Sequence, residues 1–147
     1  MIKNQEQKAL KTLWYEIWMF NSLVKILVEY LTNPPNTERQ QIDENAYLEA
    51  FLIHTRNIVD FIENEKYEND LKCSDFAFSK QIVNLPDGNS KEQINYWLSH
   101  ITKHRLNQTK PNWELKKIQK EINKCFKNFL ESIPADSKNE LDFSFIE

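Results

Sequence analysis

Apolar side chains recur about once per helical turn along most of the chain. In the first stretch Leu10, Trp14, Ile17, Asn21, Val24, Val28 and Leu31 follow at alternating steps of four and three, with Leu13, Phe20, Leu23 and Leu27 beside them. A face this wide suits a helix packed on by several neighbours. Further blocks of helical period run from about 37 to 64, 91 to 106 and 112 to 133, the last with Leu115, Ile118, Ile122, Cys125, Phe129 and Ile133 in one stripe. Breakers fall between the blocks: the single glycine is Gly88, and the prolines stand at 34, 35, 86, 111 and 134. So little glycine disfavours β architectures, whose turns need it. Thr37 with Gln40, and Ser90 with Gln93, fit the capping box, and Asn112 is placed to cap the last block.

The pattern predicts an all-α fold, an up-and-down four-helix bundle over residues 1–134 forming a single domain. Residues 65–89 make a long connection between the second and third helices, with Phe76, Phe78, Ile82 and Val83 covering one end of the core. A polar C-terminal tail, 135–147, follows Pro134 and ends in Phe143, Phe145 and Ile146.

Composition narrows the class. At 147 residues with 40% hydrophobic side chains the chain has material for one sizeable core. A net charge of -3 excludes a whole-surface nucleic-acid binder but permits a local basic patch. Cys73 and Cys125 match no metal or redox spacing, which points to a reducing, cytoplasmic setting. The first apolar stretch is broken by Glu16, Asn21, Lys25 and Glu29, unlike a signal peptide or a membrane span.

Polar residues inside the apolar pattern mark candidate chemistry. At about 100° per residue, His54 falls among Tyr47, Phe51, Ile58 and Phe61, on the inward side of the second helix. Arg56 and Asp60 fall on the opposite side, four apart, and are expected to form a surface ion pair. His100 and His104 sit at the margin of the third helix's apolar face, with Arg105 near its centre and in need of an acceptor. Three readings follow: a metal site, although no Cys cluster or HExxH accompanies the histidines; metal-independent RNA cleavage by His54, His100, His104 and Arg105, the imidazoles moving protons and the guanidinium stabilising a charged phosphorane-like transition state; or structural histidines that hold the helices in register. No metal or cofactor is expected.

Charge is unevenly spread. Lys116, Lys117, Lys120, Lys124 and Lys127 share the outer face of the last helix, and Trp113 is expected on their side. Residues 100–127 carry eight Lys/Arg against two Glu, whereas residues 38–70 carry nine acids and three bases. A lysine ridge with an aromatic can track a phosphate backbone. The acidic half can equally meet the basic half of a second copy, which favours a homodimer.

The stretches AYLEAFLIHTRNIVDFIE and INYWLSHITKHRL resemble a group of small all-helical bacterial proteins with an A-F-x-I-H-x-R-N-x-x-D-F signature. More distantly, the four-helix layout and the Arg56-Asn57 dipeptide resemble the HEPN superfamily. That resemblance implies the fold, a tendency to dimerise, and a link to RNA cleavage, toxin–antitoxin or phage-defence biology. The chain departs from the family's R-N-x(3–5)-H motif, because Ile58-Val59-Asp60-Phe61-Ile62-Glu63 follows Arg56-Asn57 without a histidine. Together the readings point to a protein that binds a protein or RNA partner without catalysis, the alternative being a HEPN-like ribonuclease with a rearranged site. Arg56, Asn57, Asp60, Trp113, Lys116, Lys120 and Lys124 are then the binding candidates.

Overall fold

A computed structural model describes residues 3–64, 67–99, 111–138 and 140–147. Among the described residues it is all-helical, with no strand. The helices are α1 (Lys3–Thr32), α2 (Glu38–Ile62), α3 (Lys91–Ser99), α4 (Leu115–Ser132) and a short α5 (Ala135–Lys138). A 3-10 turn, Cys73–Phe76, lies in the connection between α2 and α3.

α2 starts where the sequence marks it. Thr37 is extended, and its hydroxyl accepts from the Gln40 backbone N–H at 3.2 Å. The Gln40 side chain reaches back one residue further than a capping box requires, accepting from Asn36 N–H at 3.0 Å. At the other end Asn64 adopts a left-handed conformation (φ 56°) and its Oδ1 accepts from Ser74 N–H at 3.0 Å. The end of α2 is thereby tied to the 3-10 turn.

α1 and α2 pair antiparallel. Phe20 stacks on Phe51 with ring centroids 5.3 Å apart, and four residues earlier in α1 Glu16 meets His54. α3 lies antiparallel to α2, with Asn95 opposite Arg56 and Lys91 opposite Asp60. α4 closes the core. Its Phe129 takes edge contacts from Phe61 (5.0 Å), Phe76 (5.2 Å), Phe78 (5.7 Å) and Phe126 (5.6 Å). Edge-to-face geometry of this kind adds about 0.5–1.5 kcal/mol per pair beyond burial.

A buried amide network crosses this core. Asn21 of α1 donates to Ile17 O and Asn123 Oδ1, and its own Oδ1 accepts from Gln119 (2.9 Å) and Asn123 (2.8 Å) of α4. Asn21 and Asn123 are 2% and 1% exposed, so their donors and acceptors are satisfied only by one another's helices.

Three expectations need correction. α4 begins at Leu115 rather than 112, and Asn112 does not cap it. Buried Asn89 brackets the approach instead: its Nδ2 donates to Asn112 O (2.9 Å) and its Oδ1 accepts from Glu114 N–H (2.8 Å). Ile82 is exposed while Phe76, Phe78 and Val83 pack on the core, because burial alternates from Gln81 to Leu85 and Ile82 falls on the outward side. Leu31 is also exposed, since the last turn of α1 overruns the core. The tail after Pro134 also packs on the bundle. Ile146 is buried, Phe143 lies against Phe126 at 6.3 Å, and Trp14 Nε1 donates to Asp142 O at 2.8 Å.

Candidate functional site

His54 projects from α2 into the seam with α1, where its Nδ1 lies 2.6 Å from Glu16 Oε2. The carboxylate accepts only, so it selects the tautomer with the proton on Nδ1. Asn57, one turn along α2, donates from Nδ2 to the same oxygen at 3.3 Å, and the Tyr15 ring meets the imidazole edge-on at 5.8 Å. The pair is largely buried, with side-chain exposures of 11% for His54 and 20% for Glu16. Charge-assisted contacts that join two helices at this depth orient both partners.

The sequence marked His54 but not Glu16. A signal was present. Glu16 interrupts the row Leu13, Phe20, Leu23, Leu27 as His54 interrupts the row Phe51, Ile58, Phe61. Two polar breaks in facing apolar rows satisfy one another once the helices pair antiparallel.

Arg56 and Asp60 do not form the expected surface pair. Arg56 is half-buried and donates from Nη1 to Asn95 Oδ1 at 3.4 Å, while Asp60 accepts from Lys91 Nζ at 2.8 Å. Docking of α3 draws both side chains away from each other and onto itself. Wheel arithmetic placed them on a polar face; the neighbour that covers that face was invisible to it. His100, His104 and Arg105 lie outside the described residues, as does the second half of the expected third helix.

A shallow hollow of about 240 Å³ opens beside this seam, lined by Thr12, Glu16, Asn57, Asp60 and Asp70 around Leu13, Phe61 and Leu71. Its polar walls are acidic. Among the described residues no three His, Cys, Asp or Glu side chains gather as a metal site requires.

The lysine ridge is real but partly neutralised. Lys116, Lys117, Lys120, Lys124 and Lys127 are all exposed on α4. Lys117 pairs with Glu114, Lys124 with Glu121 (3.3 Å), and Lys116 donates to Gln119 Oε1 (3.1 Å). A groove of about 500 Å³ runs along the ridge, between Lys117, Lys120, Lys124, Glu114 and Glu121 on one wall and Asn84, Pro86 and Asp87 on the other. Trp113 is not part of it. The residue is 9% exposed and belongs to the core, and its Nε1 is buried without a hydrogen-bond partner among the described residues. The Asn89 bracket on either side of residue 113 turns the indole inward.

Both cysteines are buried. Cys73 Sγ donates to Ile62 O (3.2 Å) and Asn64 Oδ1 (3.0 Å), and burial raises its pKa. Burial, with the Glu121 carboxylate nearby, pushes the Cys125 thiol up to about 11. Thiols held protonated in this way are poor nucleophiles.

One surface the sequence did not single out combines aromatic rings with exposure. Tyr15 (48% exposed) and Trp18 (40%) lie 6.5 Å apart on α1, and Ile53 (40%) stands on α2 next to His54. No described helix is long and apolar enough to cross a membrane. Comparison with protein-family models, curated proteins and solved structures yields no match.

Proposed function

We propose that the protein is a non-catalytic, cytoplasmic binding module of HEPN-like four-helix layout, whose partner is protein. The observation that carries this reading is the exposed Tyr15–Trp18 pair on α1, with Ile53 of the paired helix α2 exposed as well. Aromatic side chains standing clear of the core are the residues that anchor protein interfaces. The engagement of His54 by Glu16, whose Oε2 also accepts from Asn57, supports a structural histidine, because its Nδ1 is committed to joining two helices.

The occupant we assign to this surface is a second copy of the chain. Acidic residues 38–70 and the exposed α4 lysines make each molecule electrically two-sided, so a second copy supplies charge complementarity without another protein. Sedimentation velocity over a concentration series tests this. Self-association that weakens with salt, and is lost in Tyr15→Ser/Ile53→Ser, is expected. A monomer at every concentration and salt removes the assignment.

RNA is the second reading, favoured by Lys120 and Lys127, which form no ion pair or hydrogen bond among the described residues. Measured RNA affinity should then fall with salt and drop in Lys116→Ala/Lys120→Ala/Lys124→Ala. Binding that is undetectable at low salt rules it out. Incubation with RNA in EDTA addresses the ribonuclease alternative: cleavage lost in His54→Ala or His104→Ala supports it, and absence of cleavage excludes it.

A further inference from the structure

α1 and α2 form a two-helix layer with α4 packed beneath it, through Asn21–Asn123 and Phe61–Phe129. In an antiparallel pair, the residues just before two facing residues point to the same side of the layer. Glu16 faces His54, so Tyr15 and Ile53 share the side away from α4, and the Tyr15 ring leans over the seam onto His54 at 5.8 Å. The same helical spacing places Met19 and Ile26 of α1 and Ala46 and Ala50 of α2 on that side. Tyr15, Ala46 and Ile53 are exposed there, and the other three are half-buried. An apolar strip thus follows the seam, and its alanines leave room for a helix to approach closely.

The contacts across the seam also fix levels along it. Phe20 stands opposite Phe51, so Trp18 is level with Ile53, and Lys25 is within one helical turn of Glu49. Both charged side chains are exposed, and neither forms an ion pair or hydrogen bond among the described residues. Direction keeps them apart within one chain. At about 100° per residue, Lys25 points away from α2 and Glu49 away from α1, which sets them on opposite flanks of the layer.

We infer that two copies associate through this side about a two-fold axis parallel to the seam, α1 of each lying antiparallel on α2 of the other and Lys25 of each pairing with Glu49 of the other. The inference rests on the self-association proposed above and gives it a geometry. Rotation about that axis carries α2 of the second copy over α1 of the first without changing level. Lys25 then meets the second copy's Glu49 on the same flank, and Trp18 meets its Ile53. A two-fold contact is self-complementary, so each pair occurs twice. The other two-fold arrangement lays α1 on α1 about Tyr15 and Trp18, and sets Lys25 against the exposed Lys8 of the second copy, again twice. Like charges juxtaposed in this way oppose association. Both arrangements cover the apolar strip; the charges choose between them. The α4 lysines lie on the far side of the layer, outside the contact.

Charge reversal read by sedimentation velocity tests the geometry. Lys25→Glu and Glu49→Lys should each weaken self-association at least about tenfold, because each sets two like-charge contacts at the rim. Mixed one to one, the two variants should associate about as tightly as the unmodified chain, since the mixed pair restores both opposite-charge contacts. The gap between the single variants and the mixture should close at high salt. Both positions are exposed, so circular dichroism should show unchanged folds. Reversals without effect, or a mixture no tighter than its components, overturn the geometry while the unmodified chain still self-associates. Tighter association of Lys25→Glu alone selects α1 on α1 and likewise overturns it. An unmodified chain that stays monomeric removes the self-association and this geometry together.

Discussion

Replacing Asn21 with alanine should be among the most damaging polar substitutions in this protein. Three side-chain groups lose their partner in Asn21 at once: Asn123 Nδ2, Asn123 Oδ1 and Gln119 Nε2. Each orphaned buried group costs about 1–3 kcal/mol, and water admitted by the shorter side chain offsets part, leaving about 3–5 kcal/mol. That is a large share of the roughly 5–15 kcal/mol that holds a domain together. Asn123→Ala should be milder, about 1–2 kcal/mol, because Asn21 keeps Ile17 O and Gln119 as partners. The double variant should then cost little more than Asn21→Ala alone, a coupling of at least about 1 kcal/mol. Urea unfolding followed by circular dichroism reads these values, the Asn21→Ala midpoint falling by about 2 M for a typical slope near 2 kcal/mol/M. Replacing Asn21, Gln119 and Asn123 together with leucine should recover most of the loss, since no polar group is left stranded. Strict additivity of the two alanine variants, or a cost under about 1 kcal/mol for Asn21→Ala, would refute the network as a structural element.

Other perturbations test separate parts of the fold. Glu16→Ala strands His54 Nδ1 in the α1–α2 seam and should cost about 1–3 kcal/mol in the same urea assay. Asn89→Ala removes both bonds that shape residues 112–114 and should cost about 1–3 kcal/mol, with a changed environment for the Trp113 indole in fluorescence. Cys125 should resist alkylation in the native protein at pH 8, because burial raises its thiol to about 11 and occludes it. Its folded pKa exceeds the usual value of 9.0, so the protonated thiol's contribution is complete below pH 9 and disappears as pH rises toward 11. Relative to the unmodified chain, Cys125→Ala should therefore show a flatter loss of stability between those values, and identical slopes would contradict the assignment.

Helical periodicity made the elements legible because it is a property of each segment alone. The stripe Leu115, Ile118, Ile122, Cys125, Phe129 is buried on α4, and the Thr37 cap stands where the residue types placed it. The inward aim of His54 was legible for the same reason. Other readings failed wherever a residue's environment depends on a different element. Trp113 and Arg56 looked surface-bound on a wheel, yet the Asn89 bracket turns one into the core and α3 covers the other. The C-terminal tail shows the same limit, since nothing in residues 140–147 names Trp14 as their anchor.

What the sequence determined by itself was therefore where the chain turns into helices and which sides of them are oily, because backbone hydrogen bonding and side-chain spacing act within a few residues. Only the tertiary structure decided who faces whom: Glu16 with His54, Asn21 with Asn123, Asp142 with Trp14. Those pairings depend on the register between helices, which is set by how all the faces pack at once and is written in no single segment.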